Sequence, residues 1–253
     1  AHLFSDSTIA AWKAAQANPD GVNEYGVKNS IAYPNTDWFK ELFSTGFSQE
    51  HNVSVQGSSE KVRYLVSLGY LDNNGVMTRF KEIDSGTSKF NIRTNVEAKV
   101  TNWLTMGARI FGQKQDYGLA NVKNAFSYIY QTTPGVYPGE PDKWGRAVAT
   151  EESTSANNIF AQMAGPAGHK TTYRMNASLY GVVNLYKGLT FEATGNYAQI
   201  YTDQNSYARK NGMWNYMNDT RFSESNLANA NNSNSYSMNY RINTEMLLRY
   251  NNT

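Results

Sequence analysis

The sequence predicts an all-β chain, a meander of about seven antiparallel strands that forms part of the wall of a transmembrane β-barrel. Three observations lead to this prediction. Apolar and polar residues alternate over several long segments, charged residues are missing from the apolar side of each segment, and short and long links alternate between the segments. Strands of outer-membrane barrels alternate in this way because one face meets lipid and the other meets the lumen.

The residues before the first strand, 1–46, are predicted to form an external loop region with a short helix. The helix is expected over 5–18, where Ser5 or Ser7 can cap its start and Pro19 follows its end. The first residues lack the basic segment and apolar stretch of a signal peptide. We therefore expect either that a leader has been removed or that the protein begins further upstream.

The two-residue period is clearest in the third predicted strand. Phe90, Ile92 and Val96 share one face, whereas Arg93 and Glu97 share the other. A helix would mix these two sets, because its period is 3.6 residues. The same pattern predicts strands at 47–57, 61–71, 89–100, 103–113, 172–186, 189–203 and 235–250.

The apolar faces of these strands carry no Asp, Glu, Lys or Arg, and His51 is the nearest to an exception. A charge facing lipid near the midplane costs about 2–4 kcal/mol, so a bilayer would impose this exclusion. A soluble sheet with one buried face also excludes charge, but its strands average about 5–6 residues. We expect lipid contact at Val62, Val66, Phe90, Ile92, Leu179, Ile242 and Leu248, and lumen contact at Arg93, Glu97, Arg174 and Glu245.

The links between strands indicate which end faces the cell exterior. Short links are predicted at 57–60, 101–103 and 186–188, and long links at 72–88, 113–172 and 203–235. Outer-membrane barrels have short periplasmic turns and longer external loops. We therefore expect the long links to be external, with a short helix over 121–130 and a flexible Asn-rich segment over 226–234.

Composition excludes several functions. The formal net charge is +2, so no strongly basic surface favours nucleic acid. The chain has no Cys, and its three His residues lack metal-ligand spacing. No acid–base or nucleophile constellation is evident in the predicted loops, so we expect neither catalytic residues, nor a metal site, nor a cofactor.

Aromatic residues of the predicted loops are the candidates for substrate contact. Binding sites are concave and often aromatic-lined, and sugars dock on aromatic rings. The candidates are Tyr117, Tyr137, Trp144, Trp214 and Tyr216. Packing within the loops, or contact with a protein that covers the barrel, would explain each of them equally well.

Several ordered motifs resemble the SusC/RagA-type TonB-dependent transporters. The resemblance is dense over 33–112 and continues as strand pattern alone beyond that range. Its motifs are YPNTDW at 33–38, FSTGF at 43–47, HNVSVQG at 51–57, YLVSLGYLD at 64–72, NGV at 74–76, FNIRTNV at 90–96 and TNWLTMGA at 101–108.

This resemblance implies an outer-membrane barrel of roughly 22 strands in a Gram-negative bacterium. It also implies an N-terminal plug, energy supplied through TonB, and a SusD-like surface lipoprotein that helps to capture oligosaccharides or, in some members, peptides. The sequence shows no plug and too few strands to close such a barrel. We therefore expect 47–253 to be a partial barrel domain of a longer protein.

The leading functional hypothesis is an energised importer that binds and gates its substrate without making or breaking bonds. An outer-membrane barrel enzyme is one alternative. A soluble β-rich glycan-binding module is another, and a requirement for detergent would exclude it.

Overall fold

The computed structural model describes residues 4–77, 85–119, 122–149, 151–152, 158–164, 166–208, 212–222 and 231–251. The helices are α1 Asp6–Ala17, α2 Asn29–Ala32, α3 Trp38–Leu42, α4 Val122–Tyr128 and α5 Ile159–Ala164. The strands are β1 Ser48–Ser58, β2 Val62–Asn73, β3 Thr87–Lys99, β4 Leu104–Gly118, β5 Gly139–Glu140, β6 Lys143–Gly145, β7 Pro166–Tyr186, β8 Leu189–Ala208, β9 Met213–Asn215, β10 Thr220–Arg221 and β11 Asn231–Tyr250. In this part of the chain no helix is both long enough and apolar enough to cross a bilayer.

Seven long strands form one antiparallel sheet in the order β1-β2-β3-β4-β7-β8-β11. Each strand pairs with the next long strand along the chain, so the predicted meander is confirmed. The three short links are also confirmed: β2, β4 and β8 each begin within five residues of the end of the preceding strand.

The register gives the sheet one continuous apolar face, which we call the outer face. Val66 lies opposite Val55 and Thr94, and Leu68 lies opposite Ile92. Leu179 and Ile242 continue the same face further along the sheet, and each is 65% exposed. A band of exposed apolar side chains this wide is unusual for a soluble surface. It is the arrangement expected where a barrel wall meets lipid.

Aromatic residues border the outer face at both ends. At one end Tyr173 lies opposite Tyr201, with ring centroids 6.0 Å apart. At the other end Tyr186 and Tyr250 lie opposite Leu189. β7 advances about 43 Å from Tyr173 to Tyr186 at roughly 3.3 Å per residue. At a tilt of about 45° this is about 30 Å across the membrane, which matches the hydrocarbon core.

The strands extend further than predicted at one end. β4 continues to Gly118 and β7 starts at Pro166, so the link predicted at 113–172 is confined to 119–165. This extension brings Lys114 and Asp116 onto the outer face. Lys114 lies at the aromatic border, opposite Tyr173, and its Nζ lies 2.9 Å from Oδ2 of Asp116, which lies beyond the border. The exclusion of charge therefore holds between the aromatic borders and ends outside them.

The expectation of a flexible loop over 226–234 is wrong for its second half, because β11 begins at Asn231. Side-chain amides compensate for the low strand propensity of this segment. Nδ2 of Asn205 donates to Oδ1 of Asn232 at 2.8 Å and to Oδ1 of Asn234 at 2.6 Å. Residues 223–230 lie outside the described residues.

The hydrophobic core lies outside the seven-stranded sheet. Among the described buried apolar side chains, Ala167 alone belongs to that sheet. The remainder lie in the segment before β1 and in the links, where one cluster joins Trp38, Leu42, Met77, Ala125, Ile129, Val136, Trp144, Ile159, Phe160, Ala161 and Met163. We call this packed region the loop domain.

Candidate functional site

The loop domain lies at one end of the sheet. In the meander, the start of β1 and the links β2–β3, β4–β7 and β8–β11 all lie at the same end, since Ser48 pairs with Asn73. The short turns lie at the opposite end. Every segment that contributes to the loop domain therefore emerges from the same rim of the barrel wall.

The segment before β1 is docked onto the β4–β7 link by specific hydrogen bonds. Nε1 of Trp38 donates to the carbonyl of Thr133 at 2.9 Å, and Oγ1 of Thr36 donates to the carbonyl of Val136 at 2.7 Å. The helix predicted over 5–18 is present as α1, and Ser5 accepts from the Thr8 amide as its N-cap. Helix α4 likewise lies within the predicted 121–130.

A small second sheet, in the order β10-β9-β6-β5, shapes the exposed side of the loop domain. β6 runs parallel to β9, with Trp144 opposite Met213 and Gly145 opposite Trp214. Successive side chains on a strand point to opposite faces. Trp144 is therefore buried in the core, at 1% exposure, and Lys143 lies on the other face.

On that other face, five side chains form what we call the aromatic cluster: Tyr137, Lys143, Trp214, Tyr216 and Asp219. The rings of Tyr137 and Tyr216 have centroids 4.6 Å apart. Nζ of Lys143 lies 4.6 Å from the Trp214 ring centroid and 5.2 Å from that of Tyr216. Cations at such distances are attracted to the faces of aromatic rings.

Hydrogen bonds fix the geometry of the aromatic cluster. Oδ1 of Asp219 accepts from Nζ of Lys143 at 3.0 Å and from Nε1 of Trp214 at 2.8 Å, and these bonds hold the pKa of Asp219 below its usual value. Oη of Tyr216 donates to the carbonyl of Lys143 at 2.8 Å. Burial raises the pKa of Tyr216 to about 12, so its phenol stays protonated at neutral pH.

The structure brings together three of the five aromatic residues predicted from the sequence, namely Tyr137, Trp214 and Tyr216. Trp144 packs against Phe160 with ring centroids 6.0 Å apart, which fits the alternative of packing within the loops. Tyr117 lies at the end of β4 on the lumen face, opposite Thr87 and Lys170.

Sequence reasoning missed Lys143 and Asp219, which complete the aromatic cluster. Lys143 stands beside Trp144 in the sequence, and the two-residue period of a strand could have separated their roles. No local signal pairs Lys143 with Asp219, because their contact depends on the parallel pairing of β6 with β9. Within the described ranges no group of three or more His, Asp or Glu side chains is placed to hold a metal ion.

The polar face of the sheet, the lumen face, carries a second organised group of side chains. Arg63 lies 3.7 Å from Glu97, and Oη of Tyr180 donates to the other oxygen of Glu97 at 2.7 Å. The guanidinium of Arg109 lies 4.7 Å from the Tyr180 ring centroid. These contacts connect β2, β3, β4 and β7 across the lumen face.

Known proteins resemble the chain in sequence and in fold. It is 24% identical over 172 residues to the TonB-dependent receptor P3 of Formosa agariphila, across 63% of this chain and 16% of that receptor. It is 33% identical over 90 residues to the TonB-dependent receptor SusC of Bacteroides thetaiotaomicron, across 31% of this chain and 9% of SusC. The match to the solved structure of the RagAB peptide transporter covers 70% of this chain and 20% of the transporter chain, with 21% identity and a TM-score of 0.53.

The chain thus resembles TonB-dependent receptors of the SusC/RagA type in sequence and in fold. No protein-family model matches it. The curated relatives are receptors by name rather than enzymes, and the chain covers only 16%, 10% and 9% of three of them. Its seven-stranded sheet is thus an open part of an outer-membrane β-barrel wall of the SusC/RagA type.

Proposed function

We propose that the chain forms part of the wall and external loops of an active outer-membrane importer of oligosaccharides or peptides. Transport is driven through TonB, and a SusD-like surface lipoprotein assists capture at the loop end. The observation that carries the proposal is the pairing of a lipid-type outer face with a folded loop domain at a single end of the sheet. A soluble glycan-binding module would have no need of the exposed apolar band.

In this proposal the aromatic cluster contacts the substrate or the lipoprotein. Its rings are partly exposed and are held by hydrogen bonds, so little side-chain freedom is lost on binding. Rigid aromatic side chains of this kind contribute most of the binding energy at many interfaces. The RagAB structures carry the names peptide importer and peptide transporter, which favours a peptide as one substrate class.

The test replaces Trp214 and Tyr216 with Ala in the full-length protein. Tyr130→Ala is the matched control, because Tyr130 is a loop aromatic that is 83% exposed and lies outside the aromatic cluster. We expect the double variant to assemble in the outer membrane. Its affinity for the substrate or for the lipoprotein should fall by about tenfold or more. Unchanged uptake and unchanged capture of the lipoprotein would remove the aromatic cluster from the proposal.

A further inference from the structure

The lumen face contains a shallow pocket with two guanidinium groups, formed where β3, β4, β7 and β8 lie side by side. Arg93 and Arg109 line it together with Asn95, Asn176, Ser178 and Asn196. Arg93 is opposite Phe111 and Arg109 is opposite Asn95, so the two arginines are diagonal neighbours with Cα atoms about 7–8 Å apart. In the part of the chain that the structure describes, both arginines are exposed on the lumen side.

Aromatic rings, rather than carboxylates, hold both guanidinium groups. Cζ of Arg93 lies 5.9 Å from the Phe111 ring centroid, and Cζ of Arg109 lies 4.7 Å from that of Tyr180. The described residues provide no carboxylate within ion-pair distance of either arginine. A ring face leaves the hydrogen-bond donors at the edge of the guanidinium available to a ligand.

Two other arginines of the same face are paired with carboxylates. Arg63 lies 3.7 Å from Glu97, and Arg249 lies 3.6 Å from Glu192. The two pocket arginines therefore differ from these paired residues in their surroundings and not only in position. Basic residues also outnumber acidic ones on the lumen face of the described strands, so this part of the wall attracts anions.

We infer that this pocket binds a carboxylate of the imported substrate, so that the substrate is an anionic oligosaccharide or an acidic peptide. Two guanidinium forks match the planar geometry of carboxylates, and the amide and hydroxyl groups around them supply further hydrogen bonds. Uronate sugars and Asp or Glu side chains present the same chemical group. The inference rests on the proposed import function and adds the charge of the substrate to it.

The test measures binding to the purified full-length protein in detergent by calorimetry. One pair of probes is trigalacturonate and its neutral methyl ester. The other is a blocked peptide of Ala and Glu and the same peptide with Gln in place of Glu. We expect one acidic probe to bind about tenfold or more tightly than its neutral partner, and its identity assigns the substrate to sugars or to peptides. Its affinity should fall as the ionic strength rises.

Variants then locate the site. Arg93→Gln and Arg109→Gln should each weaken the acidic probe by about tenfold. Arg174→Gln removes an equal charge from the same face outside the pocket, so binding by this variant should stay near the wild-type value. Arg109→Lys keeps the charge without the planar fork and should lie between the two, which provides a second variant if the Gln variants fail to assemble.

Three results would overturn the inference. They are the absence of acid-selective binding, affinity that does not depend on salt, and an equal loss in Arg174→Gln. If the pocket instead holds a carboxylate from another part of the same protein, the wild type binds no probe and the Gln variants lose thermal stability. Import of a neutral substrate by such a protein would leave the proposed function standing while the inference fails.

Discussion

Tyr180 of β7 lies across Gly107 of β4, so closely that a Cβ atom at position 107 would come within 2.2 Å of the tyrosine Cζ. The glycine thus leaves the space that the ring occupies. The ring in turn supports the guanidinium of Arg109 and donates its hydroxyl hydrogen to Glu97. A residue without a side chain therefore determines how the lumen face is organised.

Gly107→Ala should destabilise the barrel by about 1–3 kcal/mol, because the added methyl group displaces the Tyr180 ring. The measurement is the temperature at which the band of the purified full-length protein shifts from the folded to the unfolded position in gel electrophoresis. Gly195→Ala is the control, since a Cβ at that strand position meets no heavy atom within 4 Å. Equal stability of the two variants would show that the ring does not need the space above Gly107.

Adjacent residues of β11 should differ sharply in their tolerance of charge. Ile242 lies on the outer face opposite Tyr197, and Asn243 lies on the lumen face opposite Asn196. Ile242→Arg should impair assembly, because an arginine facing lipid costs about 2–4 kcal/mol near the midplane. Asn243→Arg should assemble normally. Quantifying the folded barrel in isolated outer membranes measures both, and similar yields would contradict the assignment of the two faces.

Because this chain contains no cysteine, thiols introduced one at a time can map the sidedness of the wall once any cysteine elsewhere in the full-length protein has been replaced. Tyr130→Cys, at a loop residue that is 83% exposed, should react with an impermeant maleimide on intact cells. Lys187→Cys lies in the two-residue turn between β7 and β8 and should react only after the outer membrane is permeabilised. Labelling of Lys187→Cys on intact cells, and of Tyr130→Cys only after permeabilisation, would show that the proposed orientation is wrong.

A buried carboxyl group should make the loop domain sensitive to pH. Glu152 is 7% exposed and accepts a hydrogen bond from Thr133, and burial raises its pKa to about 7 from an ordinary value of 4.5. The folded state therefore holds this proton more tightly than the unfolded state. Stability is highest below about pH 4.5, falls as the pH rises to about 7, and is level above that.

Hydrogen exchange in α5 at pH 5 and at pH 8, corrected for the intrinsic rates, measures this effect. The wild type should be better protected at the lower pH, and Glu152→Gln should remove the difference. Glu151 does not interfere, because hydrogen bonds from Ser5 and Thr8 lower its pKa to about 2 and it stays charged throughout. If protection in Glu152→Gln still differed between pH 5 and pH 8, the effect would belong to another group.

The membrane strands could be predicted from the sequence because lipid acts on each residue separately. Phe90 and Ile92 must be apolar whatever their neighbours are, so a period of two residues is visible along the chain. The strand ends were less predictable. Lys114 and Asp116 interrupt the apolar pattern although β4 continues through them, because they lie at and beyond the aromatic border, where charge is tolerated.

The candidate site was predicted by residue type but not by arrangement. Tyr137, Trp214 and Tyr216 were predicted as loop aromatics that are candidates for ligand contact, and the structure brings them together. Trp144 has the same chemical character, yet its position on β6 directs it into the core. Contacts between links that are distant in sequence decide this difference, and no local pattern records them.

The core of the loop domain joins residues that are far apart in the chain: Trp38 precedes the first strand, Trp144 lies in the middle and Met213 follows the eighth strand. Forming such contacts requires closing the long links between them, which costs chain entropy. A strand paired one position out of place would also turn its side chains to the wrong face. All of these links emerge from one rim of the sheet, so closure of this core depends on strands that are paired in their correct register.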